Sequence, residues 1–146
     1  MSTQNFALAR LLGEGGEIKG NLLCDSNLTS GWTLQSIRAQ FPTGAVSALG
    51  ATTLDRNAGE VLNVSLNGNS TFSVINWPPS GVWAKLVLLI TNAGAFNVTA
   101  WPSGTIWPGG TAPTITSGSG KRDCIILMTG NAGATVWGSI AGQDYR

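Results

Sequence analysis

The chain has 146 residues, a formal net charge of +1 and charged side chains at only 10% of positions. That length suits one domain with a terminal arm and can bury a real core, while so small a charge gives no field to steer nucleic acid or an anionic membrane. With no histidine in the chain, the commonest general base and metal ligand is missing, and Ser-His-Asp or Cys-His catalysis is ruled out.

From Val61 to Gly120 the only charged residue is Lys85. Solubility there rests on hydroxyl and amide side chains. Such a surface suits lasting contact with protein or sugar. Leu, Ile, Val and Trp are plentiful, so the chain is not a disordered one. The two cysteines, Cys24 and Cys124, are far apart, and their pairing needs geometry that a sequence does not supply. Cys124 lies in the apolar run Cys-Ile-Ile-Leu-Met and reads as a buried thiol. No basic-then-apolar leader opens the sequence, and its longest apolar run is far too short to span a bilayer, so neither secretion nor membrane insertion is expected. The Asn-X-Ser/Thr sites at Asn27, Asn63, Asn69 and Asn97 reflect how common these residue types are here.

In chain order, residues 2–12 predict a short helix. Ser2 or Thr3 caps it, Phe6, Leu8, Leu11 and Leu12 form its apolar side, and Gly13 ends it. Glycines at 13, 15, 16 and 20 follow. Residues 1–44 therefore read as an arm, and Phe6, Leu8, Leu11 and Leu12 as candidate docking residues. A helix folded back on its own core is the competing reading. Residues 21–40 carry little pattern beyond a short alternation around Trp32 and Leu34. Residues 45–146 read as a β-domain. A strand over 45–54 leads to a turn at 55–59. Leu62, Val64 and Leu66 then alternate with polar positions, Asn67-Gly68-Asn69 predicts a hairpin, and Phe72 and Val74 continue on the return strand. Residues 83–91 are apolar almost throughout, the pattern of a central strand covered on both faces. Phe96, Val98 and Ala100 alternate in the next strand. Residues 111–120 read as loop or edge strand, 123–129 as another buried strand, 130–133 as a hairpin turn and 135–140 as the last strand. The fold class expected is all-β, an antiparallel β-sandwich or jelly-roll-like domain with a short N-terminal arm containing a helix.

Two Trp-Pro units punctuate this pattern, Trp77-Pro78 with Trp83 and Trp101-Pro102 with Trp107-Pro108. Proline gives no N–H to a ladder, so each marks a strand end or sheet edge. Trp77, Trp101 and Trp107 are the candidate interface or carbohydrate platform, while Trp83 and Trp137 read as core filling. The seven acidic residues offer one close pair, Asp55 and Glu60, better explained as a solvated turn than as a glycosidase pair. No catalytic residue, cofactor site or metal site is expected.

The run Asp55–Gly59, Leu62–Leu66 and Asn67-Gly68-Asn69-Ser70-Thr71 resembles the opening of a small β-domain of bacteriophage virion proteins, often found at tail-fibre ends. The segments Phe96-Asn97-Val98-Thr99, Trp107-Pro108-Gly109-Gly110-Thr111-Ala112-Pro113 and Trp137-Gly138-Ser139-Ile140-Ala141-Gly142-Gln143-Asp144-Tyr145 are similar too. The resemblance implies a non-enzymatic, trimeric, β-rich protein of the phage exterior, made in the host cytoplasm. Its implied partners are copies of itself, the major capsid or tail proteins, and a host-surface glycan. The stretch before Asp55 is short and holds no shaft-like repeat. A capsid decoration (cement) protein is therefore expected first, and a short tail-fibre or receptor tip second.

Overall fold

The structure is a computed structural model and describes residues 43–146. The helix expected over 2–12, the docking residues Phe6, Leu8, Leu11 and Leu12, and Cys24 lie outside the described residues. Seven strands follow in order: β1 (Thr43–Asp55), β2 (Val61–Ile75), β3 (Ala84–Asn92), β4 (Val98–Ala100), β5 (Thr105–Ile106), β6 (Lys121–Thr129) and β7 (Val136–Tyr145). The helical content of this region is two 3-10 turns, Arg56–Ala58 and Pro108–Gly110. The all-β expectation holds for these residues. Pairing throughout as antiparallel does not: β1 with β2, β2 with β3, β2 with β4 and β5 with β7 are parallel, and only β3–β6 and β6–β7 are antiparallel. The sheet is mixed.

Chain length explains how parallel neighbours are joined without a long crossover. Extended at about 3.3 Å per residue, β1 would run for about 40 Å. Residues 56–60 are all that join it to Val61, which lies beside Thr43 at the start of β1. Six such steps reach roughly 20 Å. The strands must therefore bend back. The bend is visible in the register: Ala48 pairs with Leu66 but Gly50 with Ser70, so β1 advances by Leu49 alone while β2 inserts Asn67-Gly68-Asn69. Gly50 has φ 66 at this corner, a conformation glycine adopts freely. Asn67-Gly68-Asn69 thus forms a corner within one strand, not the expected hairpin. The same residues bend a chain in either setting; the neighbouring bend at Gly50 selects the corner.

Each bent strand makes most of one turn of a flattened coil, and the turns stack in register. Along one leg Leu62 pairs with Gly44 and Leu88, and Val64 with Val46 and Ile90; along the other, Phe72 pairs with Thr52 and Val74 with Leu54. Side chains opposite one another point to the same face, so these rows fill the inside of the coil. Leu54, Leu62, Val64, Leu66, Phe72, Leu88 and Ile90 are buried there, joined by Ile125 and Leu127 of β6. At the third corner the wholly buried Asn92 replaces an apolar residue. Its Nδ2 donates to Phe96 O (2.8 Å) and Thr116 O (3.0 Å), and its Oδ1 accepts from Gly94 N (3.1 Å) and Phe96 N (3.4 Å). One amide thus satisfies backbone groups that no ladder reaches. The antiparallel strands β6 and β7 close this end, joined by the expected turn at 130–133. There the buried Thr129 hydroxyl donates to Thr135 O (2.8 Å) and accepts from Gly133 N (3.0 Å).

Candidate functional site

The tryptophans divide differently from the expectation. Trp77, Trp101 and Trp107 are half-buried and packed against the core. Trp101 and Trp107 meet edge to face at 4.9 Å, and Trp101 meets Phe72 in the same way at 5.8 Å. The Trp101 Nε1 is buried with no acceptor among the described residues. Trp107 lies so close over Gly138 that a Cβ there would stand 2.5 Å from its ring. Trp83 and Trp137, read as core, are instead 63% and 39% exposed and stack on each other at 5.5 Å with a tilt of 31°. Sequence reasoning missed this pair. The alternation of β7 contained the signal: Val136 and Gly138 are buried, which turns Trp137 to the other face.

That other face is the outer face of the sheet. Met128 lies between Lys85 and Trp137, with Ile106 beyond, as a row across β3, β6, β7 and β5. The adjoining row runs Val61, Val87, Ile126 and Ser139. Leu89 (41%) and Ile106 (50%) are exposed, while Val61, Val87, Ile126 and Met128 are half-buried. The sequence pattern predicts β3 to be covered on both faces and β6 to be another buried strand. The described residues cover one, and an apolar face is left on the other.

Further along the strands the outer face changes character. Ser47, Ser65, Thr91, Arg122 and Tyr145 form one row across β1, β2, β3, β6 and β7. Beside them run Ala45, Asn63, Leu89 and Cys124. Two shallow depressions lie here. One of about 480 Å³ is lined by Asn63, Leu89, Thr91, Arg122 and Tyr145 among others, and one of about 520 Å³ by Ser47, Asn63, Ser65 and Asn67 among others. Asn63 belongs to both, so they form one trough crossing the strands. Burial pushes the Cys124 thiol pKa up, and it lines the trough as a neutral group.

All the carboxylates among the described residues are bound within the fold. Asp55 accepts from Asn76 Nδ2 (2.7 Å) and Asn57 N (2.8 Å), which together hold its pKa below the ordinary value. Glu60 pairs with Arg56 at 2.8 Å. The buried Asp123 accepts from Thr116 N (2.6 Å) and Asp144 N (3.0 Å). Asp144 binds Arg146 (2.8 Å) and Lys121; these bonds, Arg146 first, lower its pKa to about 2. The pair Asp55 and Glu60 is thus held in a turn, each on its own structural partners. The Arg122 guanidinium, by contrast, meets no acid, carbonyl or amide among the described residues.

Among the described residues no three His, Cys, Asp or Glu side chains gather as metal ligands, and no helix is long and apolar enough to cross a membrane. No family model, curated protein or solved structure matches this chain.

Proposed function

We propose that this chain is a non-enzymatic virion structural protein, a homotrimeric capsid decoration (cement) protein of the particle exterior. The observation that carries the reading is the uncovered outer face of β3, β6 and β7, centred on Trp83 and Trp137. With an indole offering about 250 Å² and exposures of 63% and 39%, the pair leaves about 250 Å² in water. At 25 cal/mol per Å², covering it is worth about 6 kcal/mol per protomer. With Ile106 added, this is an apolar patch of the size that is often functional on a protein surface. Copies of the same chain, packed around a closed symmetry axis, bury such faces against one another. The number three comes from the resemblance to phage virion domains. In this reading the two legs of the coil act as the facing layers of a sandwich-like wall, and the arm over 1–44 docks on the major capsid or tail proteins.

The test has two parts. Sedimentation at micromolar concentration is expected to give a trimer, and purified particles are expected to contain shell-wide copy numbers. A clean monomer removes the symmetry claim. A few copies at the tail alone replace decoration with the second reading, a short tail-fibre or receptor tip recognising host-surface carbohydrate. The polar trough around Arg122 is the observation that favours that second reading.

A further inference from the structure

We propose that the outer trough binds a linear acidic oligosaccharide laid across the strands, with a carboxylated sugar seated against Arg122 and Tyr145. The proposal deepens the carbohydrate-recognition reading and rests on it, while leaving the tryptophan face free for assembly.

Three observations meet here. The first is charge. The four described carboxylates are all committed to bonds inside the fold, and the Arg122 guanidinium is not. A planar guanidinium accepts a carboxylate in a two-pronged bond, stronger and more directional than a neutral hydrogen bond. Described residues of a second copy have no spare acid to give it, because theirs are engaged in the same way. A ligand that brings its own carboxylate would complete the pair.

The second is spacing. Ser47, Ser65 and Thr91 precede Arg122 and Tyr145 as one row of polar side chains across five strands. Neighbouring strands are about 4.8 Å apart, close to the length of one hexopyranose unit. A chain of sugars running across the strands would meet one polar side chain per unit. Asn63 and Asn67 flank the row with amides that can both donate and accept. Asn67 Nδ2 already donates to Ser47 Oγ (3.0 Å), which fixes the far end of the row.

The third is shape and chemistry at the charged end. The depression around Arg122, of about 480 Å³, is shallow and open to solvent, a form that suits an extended chain lying along it. Tyr145, 51% exposed, offers a ring for the apolar face of a sugar and a phenol for its hydroxyls. Leu89 and the neutral Cys124 give the floor an apolar base. A bare anion would use only Arg122; a carboxylated sugar uses the whole lining.

The full-length protein is titrated, with NMR detection, against a hyaluronan hexasaccharide, whose alternate units carry a carboxylate. The comparison ligands are the neutral chitin hexasaccharide, glucuronic acid and acetate. The acidic hexasaccharide is expected to bind at least tenfold tighter than the neutral one and than acetate, with shifts centred on Ser65, Leu89, Thr91, Arg122 and Tyr145. Arg122→Gln should weaken it at least tenfold. Ser65→Tyr, which fills the middle of the trough, should abolish the advantage of the hexasaccharide over glucuronic acid. Should Arg122→Gln fail to fold, the shift map of the native protein decides alone. Equal affinity for the neutral hexasaccharide at this trough would overturn the acidic ligand class and leave carbohydrate recognition standing. Acetate binding as tightly as the hexasaccharide would reduce the site to an anion contact and overturn the sugar. Shifts confined elsewhere, or none with any ligand, would overturn the site.

Discussion

Replacing Asn92 with leucine tests the corner that joins the coil to its closing loop. The side chain is wholly buried and makes four hydrogen bonds, two donated and two accepted, all to backbone groups of 94–96 and 116. Leucine matches its size but none of its bonds. Four backbone groups, in residues that are themselves half-buried, then lose their partner. At about 1 kcal/mol or more each, less what the added apolar burial returns, the loss is about 3–5 kcal/mol. That is a large part of a domain's total stability. Guanidinium denaturation followed by tryptophan fluorescence, at one fixed protein concentration, reads it directly. Hydrogen exchange at the Gly94 and Phe96 amides should quicken in parallel. Asn92→Asp sharpens the test, because it keeps both accepted bonds and turns a carboxylate on Phe96 O and Thr116 O. Burial raises the pKa of such an acid, and its neutral form regains one donor. This variant should therefore be weak at pH 7 and gain relative to the native protein as pH falls. A loss below about 1 kcal/mol for Asn92→Leu would refute the claim that this amide holds the corner.

Three further outcomes are expected. Asp144 has a folded pKa of about 2, below its ordinary value of 3.8, through Arg146 and Lys121. Its contribution to stability is thus complete above about pH 4 and is lost as pH falls towards 2; Asp144→Asn, compared with the native protein across pH 2–6, should show a difference that shrinks at the acid end. Gly138→Ala should destabilise by about 1–3 kcal/mol, since the new methyl meets the Trp107 ring and overpacked sites cost that much; thermal unfolding checks it. Trp83→Ser with Trp137→Ser should leave the circular dichroism of the strands unchanged while shifting sedimentation towards monomer, and an unchanged oligomer would move the interface elsewhere.

Strand positions were legible because inside and outside alternate with period two. The strand character of 62–66, 83–91, 123–129 and 136–140 and the turns at 55–59 and 130–133 follow from residue pattern alone. Pairing direction was not legible. Asn67-Gly68-Asn69 bends a chain whether the next segment returns beside the last or continues as a second leg. The choice depends on Gly50 in another strand, and no local pattern reveals that neighbour. The outer face was half legible. The two-sided apolar character of 83–91 and 123–129 was plain, but which side the protomer itself would cover depends on the same long-range pairing. For that reason residue pattern alone neither places Trp83 and Trp137 on the outside nor brings Arg122 beside Tyr145 and Thr91.

The stacked coil also makes the scaffold mechanically directional. Its backbone hydrogen bonds run between turns, slanting across the strands. A pull applied along the stacking direction would open them like a zipper, one row at a time, starting from β1. A pull along the strands would load every bond of a row together in shear. The same small body is thus compliant along the stack and stiff along the strands. A tether fixed to its stiff direction would transmit force with little stretch, whereas one fixed at the β1 end would peel the first turn away while β3, β6 and β7 stayed intact.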